Sequence, residues 1–283
     1  MRTLLLIVVI AASAGPWALA RQEATLAGTP DALKFAVIGD SGSGQPPQFE
    51  VGGQMAAARA RFPFELVLML GDNMYGSQRS QDFVDKFERP YAALLQAGVP
   101  FYAALGNHDN QSNRFYKGFN MGGERYYTFA RKNVRFFVLD TNLMDATQLA
   151  WIEEVLGQSR EEWQVVYFHH PLYSDGARHG SNVELRVALE PLFVRHGVEV
   201  VFAGHEHVYQ RSTPQKGITH FIEGSSGQLR KGNMRPTAMT AAFFDQDQTF
   251  MLVEIAGDEM QFQTISRTGR VVDSGVIRRR PTT

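Results

Sequence analysis

The chain runs as short apolar stretches, each closing on a polar segment, with amphipathic stretches between them. "KFAVIGD" (34–40) and "ELVLMLGD" (65–72) are the continuous apolar runs expected of strands buried on both faces. Between them, "QFEVGGQMAAARARF" carries helical spacing, weakened at its start by Gly52 and Gly53. The three predict a βαβ unit and so a parallel pair. "SQDFVDKFERPYAALLQAG" predicts a helix interrupted at Pro90 and stopped by Gly98. "VPFYAALGNHD" (99–109), "WQVVYFHHP" (163–171) and "VEVVFAGHEH" (198–207) repeat the strand pattern. "RYYTFARKNVRFFVLDT" predicts a hairpin turning near Lys132 and Asn133. "ATQLAWIEEVLGQS" predicts a helix, as does "SNVELRVALEPLFVRHG", which a Ser181–Glu184 capping box opens and Gly197 closes. After Gly217, "ITHFIEG", "AAFFD", "TFMLVEIAG", "MQFQTISR" and "VVDSGVIRR" predict successive antiparallel strands. No linker or repeat divides this pattern, so one α/β domain is expected over residues 21–283.

The first twenty residues fall outside it. Arg2, the apolar "LLLIVVIAASAG" and "Ala18-Leu19-Ala20" have the form of a cleavable signal peptide, 1–20, and imply a secreted or periplasmic protein with no membrane anchor once mature. The formal net charge of −1 gives no global field for nucleic acid, so an anionic ligand must be drawn by a local positive centre. The chain has no cysteine, so a metal would have to be held by His, Asp, Glu, Asn or Tyr.

Such residues stand at the end of each of five strands, in "GDSG" (39–42), "GDNMY" (71–75), "GNHD" (106–109), "FHHP" (168–171) and "GHEH" (204–207). The carboxyl ends of parallel strands share one rim, where ligands bind. Polar groups gathered there are costly to bury without partners, and a shared cation would compensate. His170 adjoins His169, so strand alternation predicts that it points away.

The ordered set resembles the purple acid phosphatases, a branch of the calcineurin-like metallophosphoesterases, and in length the small tartrate-resistant type. The resemblance implies a four-layer α/β/β/α sandwich, two mixed β-sheets flanked by helices. It implies that Asp40, Tyr75 and His207 hold Fe(III), that Asn107, His169 and His205 hold a divalent Fe, Zn or Mn, and that Asp72 bridges them. It further implies phosphate monoester hydrolysis at mildly acidic pH by a metal-bound hydroxide, with His108 as general acid, Asp109 orienting it, and His179 facing a small phosphorylated substrate. A monomer is expected. Hydrolysis of diesters or nucleotides on the same site, or a catalytically silent metal-binding protein, are the rivals. In most members of the wider superfamily the first motif is Gly-Asp-x-His, with that His a ligand. Here the position is Gly42, and Tyr75 can supply the missing ligand. The disulfide-held inhibitory loop of the mammalian relatives cannot exist in that form without cysteine.

Overall fold

The computed structural model describes residues 26 and 28–280, and the expected signal segment lies outside them. Two mixed sheets stack face to face. The first contains β1 (Leu33–Ile38), β2 (Leu66–Met69), β3 (Phe101–Ala103), β11 (Thr249–Ala256), β12 (Glu259–Ser266) and β13 (Val271–Arg278), in the order β13-β12-β11-β1-β2-β3. The second contains β4 (Tyr127–Arg131), β5 (Val134–Val138), β6 (Trp163–Tyr167), β7 (Val200–Ala203), β8 (Tyr209–Ser212), β9 (Thr219–Glu223) and β10 (Thr240–Phe244), in the order β10-β8-β9-β7-β6-β5-β4. Helices α1 (Pro46–Arg59), α2 (Ser80–Phe83) and α3 (Ala92–Gln96) belong to the first half. Helices α4 (Ala146–Gln158) and α5 (Val183–Arg195) cover the second.

The layering follows from the apolar runs. Strands β1, β2, β6 and β7 are apolar on both faces, so each sheet needs cover on both. One face of each sheet meets the other, where Phe35 sits edge-on to Phe136 at 5.4 Å and to Phe202 at 6.3 Å. Burying one such ring stabilises the fold by about 2–3 kcal/mol. The outer faces pack under helices, with Val51, Met55 and Leu94 on one side and Ile152, Leu189 and Phe193 on the other.

The expected βαβ unit is present, with β1 parallel to β2, and the hairpin turns at 132–133 between β4 and β5. Three local expectations change. Helix α5 is capped by Asn182, whose side chain accepts the Leu185 N–H, because the Ser181 hydroxyl is engaged by the Ser174 N–H. The interrupted helix passes through a π-helical turn over Val84–Glu88 before Pro90. The strands after Gly217 do not form one antiparallel run: β9 lies parallel to β7, β10 pairs with β8, and only β11–β13 make a meander, in the other sheet.

Candidate metal centre

The loops leaving β1, β2, β3, β6 and β7 meet at the carboxyl rim. The first two loops pack tightly between Gly42 and Asn73. Gly42 N–H donates to the Asp72 carbonyl at 3.3 Å, and Tyr75 N–H donates to the Gly42 carbonyl at 3.0 Å. A Cβ at position 42 would lie 1.9 Å from the Asn73 carbonyl oxygen, so no side chain of any kind fits there. The same pairing turns Tyr75 inward. Three polar residues of the rim, Asp40, Asp72 and His205, have left-handed backbones with φ of 52°, 51° and 72°. Non-glycine residues there cost about 1 kcal/mol or more each, so the surroundings must hold them. His205 N–H donates to Asp40 Oδ2 at 2.8 Å, and His108 N–H donates to Asp72 Oδ1 at 2.8 Å.

Two clusters result, joined by one carboxylate. In the first, Tyr75 Oη lies 3.0 Å from Asp40 Oδ1, 2.9 Å from Asp72 Oδ2 and 3.1 Å from His207 Nε2. In the second, His169 Nε2 lies 3.1 Å from Asn107 Oδ1, 3.2 Å from His205 Nδ1 and 3.4 Å from Asp72 Oδ1. The two oxygens of Asp72 thus face different clusters. The other nitrogen of His169, Nδ1, is 2.9 Å from the Leu70 carbonyl, which fixes the ring and leaves Nε2 directed inward.

The electrostatics of these groups are those of a cation site. Asp40 and Asp72 are 0% and 1% exposed, and among the described residues their only ion-pair partners are imidazoles. Burial opposes the charge of His169, yet Asp72 and Asp40 push it up to about 9. Burial and the neighbouring His169 push His205 down to about 2, so it stays a neutral donor with a free lone pair. Burial, then the Asp40 and Asp72 carboxylates, drive the Tyr75 phenol far above its ordinary value. Hard oxygens in one cluster and imidazole nitrogens with an amide oxygen in the other fit two cations of different character.

The structure brings Asp40, Asp72, Tyr75, Asn107, His169, His205 and His207 together, and sets His108 and His179 at their edge. His108 is half exposed, with Nε2 3.9 Å from Asp72 Oδ2 and its ring 4.7 Å from that of Tyr75. The His179 ring lies 4.1 Å from that of His205.

Asp109 does not take its expected part. Its oxygens accept N–H groups of Gly106, Asn73 and Met74 at 2.8, 3.1 and 3.0 Å and the Asn73 amide at 2.9 Å, and none of its hydrogen bonds reaches the His108 imidazole. It is a buried staple between the second and third loops. His170 departs the other way. Strand β6 ends at Tyr167, so alternation does not extend to position 170, and the ring turns inward, 4.9 Å from His169 and 4.5 Å from His205. Its Nδ1 lies 2.9 Å from Thr141 Oγ1. His170 and Asn182 stand between two open hollows of about 400 and 450 Å³ that reach His205 and Asn107. Thr141, Asn142 and Glu206 also border the site without having been singled out; only Glu206, framed by two histidines, carried a signal in the chain.

Residues 33–209 match the family described as calcineurin-like phosphoesterase. Tartrate-resistant acid phosphatase type 5 of Rattus norvegicus is 25% identical over 299 residues, covering 88% of this chain and 91% of that protein. Purple acid phosphatase PPD1 from yellow lupin (Lupinus luteus) seeds superposes with a TM-score of 0.73 at 19% identity, over 89% of this chain and 54% of that one. GAP50, the anchor in the inner membrane complex of Plasmodium, superposes with a TM-score of 0.77 at 17% identity, over 88% and 90%. These two superpositions are similarities of fold.

Proposed function

This chain belongs to the calcineurin-like phosphoesterase family, and from that premise we propose that it is an exported phosphomonoesterase with a dinuclear metal centre, active at mildly acidic pH. The observation that carries this reading is the pair of clusters sharing Asp72, one rich in carboxylate and phenol oxygen and the other in imidazole nitrogen. Asp40, Tyr75 and His207 would hold Fe(III); Asn107, His169 and His205 would hold a divalent ion. Loaded, the pair supplies positive charge to the phosphoryl oxygens and acidifies water for attack on phosphorus.

The remaining work falls to the chain. Asp72 keeps the two halves at a fixed separation. His108 stands at the open edge, where its ring can hand a proton to the departing oxygen. Its loop is held by Gln78, whose amide donates to the His108 carbonyl at 2.5 Å. His179, across the site, can donate to a phosphoryl oxygen of a small substrate. The segment 1–20 would be removed on export, leaving 21–283 as the catalytic domain. Among the described residues no helix is long and apolar enough to cross a membrane.

Metal analysis and the visible spectrum of the purified protein test the assignment together. Iron with a phenolate-to-iron band that disappears in Tyr75→Phe is the expected result. An iron protein without that band would remove Tyr75 from the site. Turnover of a phosphate monoester should exceed that of a diester, and the reverse order would overturn the monoester assignment.

A further inference from the structure

Glu206 stands in the chain between His205 and His207 and is wholly buried. Its carboxylate is spent on two loops. Oε1 accepts the backbone N–H of His179 at 2.6 Å and of Gly180 at 2.8 Å, and Oε2 accepts the Asn233 side-chain amide at 2.9 Å. The nearest guanidinium, Arg230, is 4.0 Å away, beyond hydrogen-bond reach. The two loops are zipped over this carboxylate. Ala177 N–H donates to the Asn233 carbonyl at 2.9 Å, Arg235 N–H to the Asp175 carbonyl at 2.9 Å, and Gly176 pairs with Met234. Gly176 is needed for this fit, since a Cβ there would lie 2.5 Å from the carboxyl carbon of Glu206.

One carboxyl oxygen accepting from two consecutive backbone N–H groups fixes their direction as well as their distance. Here they fix the main chain of the residue whose ring lies 4.1 Å from His205. We propose that Glu206 is a positioning residue, locking the His179 loop to the His205–His207 segment so that the His179 ring is held at the substrate edge of the site. The proposal rests on the reading of His179 as a group that faces substrate. The neighbours of Glu206 in the chain are the two imidazoles, so a shift of the site and a shift of His179 are coupled through one residue.

Two measurements on the metal-loaded protein separate positioning from packing. In Glu206→Ala, the amides of His179 and Gly180 should exchange with solvent about tenfold faster or more. The same variant should raise KM for a phosphate monoester about tenfold, with kcat within about threefold and metal content unchanged, because misplacement by about 1 Å weakens a substrate contact. In a His179→Ala background, Glu206→Ala should add nothing further. Glu206→Gln should restore most of the loss, since its amide oxygen can still accept both N–H groups. Gly176→Ala should reproduce the KM effect from the opposite side, and it serves where Glu206→Ala fails to fold. Losses that add in the double variant, or an unchanged KM in both Glu206→Ala and Gly176→Ala, would overturn the proposal. If the wild-type protein hydrolyses no phosphoester, the functional reading falls, while unchanged amide exchange would still remove the lock.

Discussion

At the amino rim of the sheets, carboxylates meet cations directly: Arg135 and Glu161 at 2.6 Å, Arg195 and Glu153 at 2.8 Å, Lys132 and Glu65 at 2.7 Å. At the carboxyl rim, Asp40 and Asp72 are more deeply buried and meet no Lys or Arg among the described residues. The rim as a whole is not short of such pairs, for Asp140 beyond the end of β5 has Arg125 at 3.0 Å. What sets Asp40 and Asp72 apart is that both face Tyr75 and the imidazoles of His169 and His207. Burying an ion without a partner costs several kcal/mol. Asp40 and Asp72 face imidazoles, a phenol and backbone N–H groups, a setting that suits a cation not part of the chain.

Asp72 gives the largest test of that contrast. Asp72→Ala should abolish metal binding in both clusters and lower activity by about 10³-fold or more, equivalent to about 4 kcal/mol. In metal-free protein the same change should lower the melting temperature, because it strips the buried His169 imidazole of the carboxylate that supports its charge. Retention of two metals in the variant would break the comparison at its centre. Chelation of the wild-type protein should lower its melting temperature, as loss of any ligand of the native state does.

His108 comes next. It is the half-exposed member of the site, so His108→Ala should leave metal content intact while kcat falls about 100-fold on an alkyl phosphate. The loss should shrink on a substrate whose leaving group needs no proton. A uniform loss across both substrates would assign His108 to binding.

The two rims also differ in how much of them could be read from sequence. The five strand-ending segments were legible because a run such as "ELVLMLGD" ties apolar continuity to a polar stop, and parallel pairing then sends each stop to one rim. Tyr75 was legible through the resemblance that "GDNMY" carries. What was not legible is that position 42 can hold no side chain, since only the packed loops show how closely Gly42 faces the Asn73 carbonyl. His170 was misjudged because a period of two says nothing about where a strand stops. Asp109 was misjudged because adjacency in the chain suggested contact with His108, whereas competing backbone donors captured its oxygens. Strand β8 went unread. Its "YQRS" mixes polar with apolar positions, and its pairing with β9 and β10 is wholly tertiary.

Glu199 is the amino-rim carboxylate that resembles the carboxyl rim. It precedes β7, is 7% exposed, and accepts a long 3.4 Å bond from the Gln164 N–H. Burial pushes it up to about 7, against an opposing pull from that N–H and from Arg280. A folded-state value raised from 4.5 means that its contribution to stability is complete below about pH 4.5 and is lost as pH rises through about 7. Glu199→Gln removes that loss. At pH 8 the variant should be more stable than wild type by about 2 kcal/mol, below the limit of about 3 kcal/mol that the displacement allows. At pH 4 the two should coincide. Equal stability at pH 8 would mean that this carboxylate is already paired in solution, and the contrast between rims would be cleaner than the structure suggests.

The smallest effect belongs to the paired member of the same rim. Glu161 accepts from Arg135 through Nε at 2.8 Å and Nη2 at 2.6 Å, and these bonds hold its carboxyl down at about 2. A depressed value has the opposite sign to that of Glu199: its stabilisation is present above about pH 4.5 and disappears as pH falls through about 2. Arg135→Met keeps most of the side-chain packing and removes the fork. Solvent screens the pair, so the loss at pH 7 should be about 1 kcal/mol, less than the depressed carboxyl alone implies, and it should vanish near pH 2. Urea melts of the two variants, Arg135→Met and Glu199→Gln, at pH 3 and pH 8 should therefore diverge in opposite directions as pH changes. A loss of 3 kcal/mol or more from Arg135→Met would place Glu161 among the buried ions, and the amino rim would then depend on its own fixed cations as heavily as the carboxyl rim depends on bound ones.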